Sequence, residues 1–418
     1  MENNCTIMFK FLIITIGYML LLNCPSAYAR TFTVQPGQSI KAIIEQAHDG
    51  DLIRVLAGTY KEKGIVIDKS IVLMGIGNPV LDGEKKYEVI SITAHNVVIE
   101  GFTIINSGYS SMNELAAIRI INASGVGIRN NKLLNNFFGI YCQHASKAYI
   151  ANNTISSNGI SELESGNGIH GWKSDSLVIY NNNISGHRDG IYFEFVTHTL
   201  IMKNNSHKNI RYGLHFMFSN DDTYLDNIFN NNGSGVAVMH SRRVIMLNNE
   251  FRENWGSASF GILLKDISDS HAEGNLYYKN TVAIYMEGSS RTLIRRNRFS
   301  NNGYAIRIQA SCDDNTIEKN NFSGNSFDIA TNGSLVLNTF NGNFWDKYEG
   351  YDLNRNKIGD VPYRPLSVYA MIVERNATAM MLFRSPVVGL LEKAEKVMPG
   401  LTPENLKDEY PLMKPLPL

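Results

Sequence analysis

The stretch Gly213 to Gly235, GLHFMFSNDDTYLDNIFNNNGSG, is one copy of a unit that recurs along most of the 418-residue chain. With position zero set at Gly or a substitute, copies begin at Ala117, Gly139, Gly168, Gly190, Gly213, Gly235, Gly261, Ala283, Ala305 and Asp328. Successive starts lie 22, 29, 22, 23, 22, 26, 22, 22 and 23 residues apart. A near-constant period with two enlargements marks a solenoid whose copies stack only on their neighbours.

Within each copy the residues one and three places after zero are apolar: Leu214/Phe216, Val236/Val238, Ile262/Leu264 and Ile284/Met286. This period of two is a β-strand with one buried face. Further apolar positions follow near plus 11 (Ile128, Ile150, Ile179, Ile201, Ile294) and plus 16 (Leu133, Ile155, Ile184, Phe229, Phe251, Phe299). Three short strands per copy imply three sheets. Between them run two Asn columns, Asn131, Asn153, Asn182, Asn204, Asn227, Asn249, Asn275 and Asn297 at plus 14, and Asn136, Asn158, Asn209, Asn232, Asn254, Asn280 and Asn302 at plus 19. Asn tolerates a left-handed corner, and its amide can bond the same amide one coil away. The pattern predicts an all-β fold, a right-handed single-stranded parallel β-helix of the pectin-lyase-like kind.

Composition agrees with one continuous unit. Lys and Arg number 39, Asp and Glu 39, and no basic run gives a footprint for nucleic acid. Residues 1–29 read as a signal peptide: Lys10 precedes the apolar run Phe11 to Leu22, and Ala27-Tyr28-Ala29 supplies the small residues of a cleavage site before Arg30. Cleavage removes Cys5 and Cys24, leaving Cys142 and Cys312 too far apart in the stack for a disulfide. Residues 30–116 form an N-terminal cap and irregular first coils, with a helix opened by Ser39 and carrying Ile40, Ile43, Ile44 and Ala47 on one face. Residues 117–344 are the repeats, with insertions at Ser161–Asn167 and Trp255–Phe260 at the same corner. Residues 345–418 are a non-repetitive tail that either caps the solenoid or docks a partner.

The runs GHRDGIYFEF (186–195), RYGLHFMFSNDDTY (211–224), GVAVMHSR (235–242), AIYMEGS (283–289), NGNFWDKYEGYDLN (341–354) and DVPYRPLSVYA (360–370) resemble the NosD family, periplasmic accessory proteins for nitrous oxide reductase maturation. The resemblance implies a periplasmic β-helix subunit that works with an ABC-type ATPase and a membrane permease in assembling the copper-sulfur centre of the reductase. It implies a copper chaperone and the reductase itself as further partners. The chain lacks a GxxxxGK[ST] loop and spanning segments, so ATP hydrolysis and transport fall to the partners. An accessory role without catalysis of its own is the expectation.

Even-numbered positions after zero are expected on the solvent face. There His170, Trp172, Tyr192, Glu194, His215, Met217 and Met239 cluster over four coils. Thioether plus imidazole suits Cu(I), making His215, Met217, Met239 and His170 the candidate ligands. The competing reading makes the same stripe a surface covered by the tail or by a protein partner. A rival function, an extracellular polysaccharide lyase or hydrolase, would use Glu194 near His187, Arg188 and Asp189, with Trp172 and Tyr192 as a sugar platform. Asp352 to Asp360 resembles a calcium loop but lacks the bidentate Glu, and reads as a structural turn.

Overall fold

A computed structural model describes residues 29–110, 113–159, 161–333, 337–398, 400, 402–403 and 406–418. The expected signal segment, with Cys5 and Cys24, lies outside them, as does part of the tail. Among the described residues three parallel sheets of 14, 12 and 13 strands stack along one axis. The front sheet, built from the position-zero strands, runs from Ile65–Ile67 to Phe327–Thr331. The second runs from Thr31–Val34 to Leu337–Asn341, and the third from Thr59–Tyr60 to Phe344–Trp345. The stack therefore begins about four coils before Ala117, where the sequence period first becomes regular. Its earliest strands pair in the same way, Leu52 beside Val72 and Val72 beside Val98, but unequal corners hide the repeat.

Helix α1 (Ile40–Gln46) closes the N-terminal end: Ser39 Oγ accepts from Ala42 N, and Ile40 and Ile44 are buried on the first coils. Inside the tube, like side chains stack on like. Phe251, Tyr277, Phe299 and Phe322 lie with ring centroids 4.7 to 4.9 Å apart and planes within 6° of parallel, and Trp345 ends the column at 4.1 Å from Phe322. Cys142 and Cys312 are buried free thiols.

The Asn column at plus 14 is a continuous ladder. Asn204 gives its backbone N–H and its side-chain amide to Asn227 Oδ1 at 2.9 and 3.0 Å, and Asn227 repeats both bonds to Asn249 Oδ1 at 3.0 Å. The same pair of bonds recurs to Asn320 and Asn343, two rungs beyond those read from the sequence. The left-handed corner belongs to the residue before each rung: Asn130, Asn152, Asn181, Lys203, Asp226 and Asn248 have φ between 51° and 58°. One Asn thus turns the chain and the next bonds along the axis. In the plus 19 column, Asn158 is not a rung: it is exposed and bonds Asn135 Oδ1, because the insertion that follows it lifts the chain off the stack. His187 stands in the column instead, its N–H bonded to Asn209 Oδ1 at 3.1 Å.

The tail caps the C-terminal end. A carboxylate needs only donors, so it ends a ladder of N–H groups without leaving one of its own unpaired. Asp408 fills that role, accepting from Gly342 N, Asn343 N, Asn343 Nδ2 and Trp345 Nε1 at 2.8 to 3.1 Å. Helix α2 (Val368–Arg375) lies on the last front strand through Tyr369, Ala370 and Val373, and Glu374 pairs with Arg307 Nη2 at 2.7 Å. The tail therefore covers the coils at Ala305 and Asp328. Among the described residues its ion pair with the front sheet is at Arg307, about three coils, roughly 14 Å, from Met239.

Candidate copper site

Three columns of the front sheet point outward, at minus one, plus two and plus four. Parallel pairing without slip sets Tyr141, His170, Tyr192, His215 and Ala237 side by side in the plus-two column. It sets Trp172, Glu194, Met217, Met239 and Lys265 side by side at plus four. The expectation that the plus-two column faces solvent is overturned: His170 is 5 % and His215 4 % exposed. The rings cover one another. Tyr141 to His170, His170 to Tyr192 and Tyr192 to His215 are 4.6, 4.9 and 4.9 Å between centroids, and Phe138 and Tyr212 close the flank at 5.4 Å from His170 and 4.8 Å from His215.

This geometry divides the four candidate ligands. Met217 and Met239 are register partners on neighbouring strands, Tyr212–Met217 and Ser234–Met239, and both are half-buried. His215 stands two residues before Met217 on the same strand and face. His170 is apart: the Tyr192 ring separates it from His215, and it lies three coils, about 14 Å, from Met239. Its Nδ1 accepts from Asn167 Nδ2 at 3.2 Å. The structure does not bring His170 to the methionines.

His215 is held but not satisfied. Its Nδ1 is 3.6 Å from Asp189 Oδ2, beyond hydrogen-bond distance, and neither ring nitrogen has a hydrogen-bond partner. Asp189 is fully buried and engaged by Arg211 through both oxygens, at 2.9 and 2.5 Å. Burial by itself would raise that carboxyl, but the Arg211 fork and nearby His215 carry it below its usual value. An imidazole with a free nitrogen beside two register-matched thioethers is a neutral, soft donor set. It fits monovalent copper, and among the described residues no cluster of three His, Cys, Asp or Glu side chains offers a harder alternative.

The plus-five column was not singled out from the sequence, and it is strained. Phe195, Phe218 and His240 occupy left-handed backbone at φ 54°, 52° and 50°, where bulky side chains are rarely found. Phe195 stacks on Phe218 at 5.3 Å and 9°, and Phe218 on His240 at 4.9 Å and 15°. Asp266 Oδ2 is 3.3 Å from His240 Nδ1. Phe195, Phe218, His240, Arg242 and Asp266 line an open groove, and Phe218 and His240 directly follow Met217 and Met239 in the chain. The available signal was the appearance of Phe, twice, at a corner that elsewhere carries Asn122, Lys173 or Gly288.

The groups of the rival sugar-acting reading are dispersed. His187 is inside the Asn column, Asp189 is tied to Arg211, and Glu194 is half-buried at plus four. In the 352–360 loop, Asp352 accepts from Asn356 N and Lys357 N, and Asp360 accepts from Leu353 N, the bonding of a structural turn.

Comparison with known proteins points to one family. The model of the NosD family, described as a periplasmic copper-binding protein, matches residues 151–350. A probable ABC transporter binding protein NosD of Stutzerimonas stutzeri is 25 % identical over 397 residues, 90 % of each chain. Its Pseudomonas aeruginosa counterpart is 26 % identical over 386 residues, 88 % of this chain and 89 % of that one. The chain is similar to the NosD family. The matched window contains every front-sheet residue of the candidate site. Solved structures share the fold alone: the A-module of a mannuronan C-5 epimerase from Azotobacter vinelandii has a TM-score of 0.54 at 13 % identity, covering 73 % of this chain and 88 % of that one. An exopolygalacturonase from Thermotoga maritima has a TM-score of 0.51 at 12 % identity, covering 79 % and 95 %.

The enclosed histidines give this protein an acid sensitivity of predictable sign. Burial pulls the His187 imidazole down to about 4 and His170 down to about 3, from 6.5. Between 6.5 and about 4 the unfolded chain therefore takes up protons that the folded one refuses, and stability falls as pH falls. For His187 the loss is on the order of 2 to 3 kcal/mol across that window. His187→Asn removes this share and supplies an amide able to bond Asn209. Denaturant midpoints at pH 7 and pH 5 should lie closer together in the variant than in the wild type; an equal drop in both would show that His187 is not buried in its neutral form.

Proposed function

We propose that this protein is the periplasmic β-helix subunit of an ABC-type assembly system, and that it holds Cu(I) destined for the copper-sulfur centre of nitrous oxide reductase. The observation that carries the reading is the register pair Met217–Met239 beside an imidazole with no hydrogen-bond partner, in a chain similar to the NosD family. Copper is cargo in this account. The two thioethers and His215 Nε2 bind it, and these neutral donors favour the soft monovalent ion over Zn(II). A rigid sheet fixes the donor spacing before the ion arrives, so little ordering is needed on binding.

Met217→Leu and Met239→Leu keep volume and apolarity while removing sulfur, so folding should change by less than about 1.5 kcal/mol. Competitive titration with a Cu(I) chelator should show each variant weakened and the double variant weakened most. Equal affinities in wild type and variants would defeat the assignment. If the variants kept copper affinity but lost the reductase or a copper chaperone, the stripe would be a protein-docking surface. Turnover of alginate or pectin by the purified protein would favour the sugar-acting alternative.

We also assign the contact with the ABC-type permease to the tail. Among the described residues no helix is long and apolar enough to cross a membrane. Yet Met381 is 89 % and Leu390 67 % exposed, with Leu382, Val387 and Met398 also exposed nearby. Such a concentration of exposed apolar side chains marks an interaction surface. Met381→Glu with Leu390→Glu should abolish co-purification with the permease without altering the melting of the β-helix; retained co-purification would move the contact elsewhere.

A further inference from the structure

The methionine pair has a second imidazole beside it, on the exposed side, and nothing in the family description assigns it a role. His240 follows Met239 directly, and its ring is fixed from two directions. Its face lies against Phe218, the residue after Met217, at 4.9 Å and 15°. Its Nδ1 faces Asp266 Oδ2 at 3.3 Å. A carboxylate at Nδ1 favours the tautomer with the proton on that nitrogen, which leaves the Nε2 lone pair available. The carboxylate is itself positioned. Gly288 stands one coil further on at φ +58°, and a Cβ there would come within 2.2 Å of Asp266 Oδ1, so a side chain at that position would displace the carboxylate.

The backbone gives an independent argument. A polar turn residue would serve at this corner, as Asn122 does three coils earlier in the stack at φ 51°. The chain instead places Phe195, Phe218 and His240 in left-handed geometry in sequence, an arrangement that costs about 1 kcal/mol or more at each bulky residue. The outcome is a stacked column of rings ending in an oriented imidazole that lines a groove, with Phe218 and His240 each directly following a methionine of the pair in the chain. His215 lies on the buried side of the same pair.

We propose that His240 Nε2 is the solvent-side ligand of the Met217–Met239 pair, through which monovalent copper enters and leaves, with Asp266 as its positioning residue. This rests on the reading of the methionine pair given above. The pair is then flanked by two imidazoles, one enclosed and one exposed. Exchange of one nitrogen donor for the other moves the ion between a held and a transferable position while the thioethers stay bound.

The test uses the full-length purified protein, with Ag(I) as a redox-inert substitute for Cu(I). In imidazole nitrogen–proton correlation spectra, the ring signal that disappears in His240→Asn should shift on addition of Ag(I) to the wild type. Asn suits the left-handed corner, so this variant folds, and melting curves check that it does. His240→Asn should weaken Cu(I) affinity by at least about tenfold, and Asp266→Asn by about 10- to 100-fold or less, as removal of a partner behind a ligand does. Transfer of Cu(I) to a chelator should slow in both. Unchanged His240 signals, with affinity lost only in the methionine variants, would overturn the role of His240 and leave the methionine site standing. Unchanged affinity in the methionine variants would overturn both.

Discussion

Every rung of the Asn column passes two N–H groups to the carbonyl oxygen of the next, from Asn131 to Asn343, and Asp408 receives the last pair. These bonds are buried, and a buried amide left unpaired costs about 1 to 3 kcal/mol. A coil displaced by one residue along its neighbour would break both bonds at its rung and turn its strands inside out. The ladder therefore fixes the register of the coils. Register in turn decides which side chains become neighbours, since nothing else brings Met217 beside Met239 or His170 beside Tyr192.

Once register is fixed, chemistry accumulates in columns. The same position on successive coils lies about 4.8 Å away, a spacing that suits ring stacking and lets two thioethers approach one ion. The plus-two column uses it to build a self-covering row of rings, at the expense of burying His170 Nε2 and both ring nitrogens of His215 without hydrogen-bond partners. The plus-four column carries the methionines, and the plus-five corner carries strained aromatic residues. Coils beyond Lys265 do not continue this arrangement: there Lys265 pairs with Glu287, and the tail covers Arg307 and Phe327. The unusual chemistry is thus confined to the middle of the front sheet.

Much of the fold was legible because a solenoid writes its structure once per coil. The alternation at Leu214 and Phe216, the second and third apolar positions and the Asn columns each appear many times, and repetition separates them from chance. The early coils were harder to read because their corners differ in length, and Asn158 was misplaced because an insertion removes its coil from the stack. The candidate site was legible only in part. Which residues share a face follows from the period of two, so the pairing of Met217 with Met239 could be read directly. Whether that face is wet could not, because burial of His170 and His215 depends on rings contributed by Phe138, Tyr212 and the adjoining coils. His240 was missed since a corner residue has no alternation to reveal it.

The central claim is that the stack places two thioether sulfurs where one soft ion can bind both. Copper K-edge X-ray absorption of the protein loaded with Cu(I) measures this directly. The account predicts sulfur and nitrogen bonded to the metal together, with the sulfur contribution lost when Met217 and Met239 are both replaced by leucine. A metal surrounded only by nitrogen and oxygen in the wild type, or sulfur retained in the double variant, would contradict it.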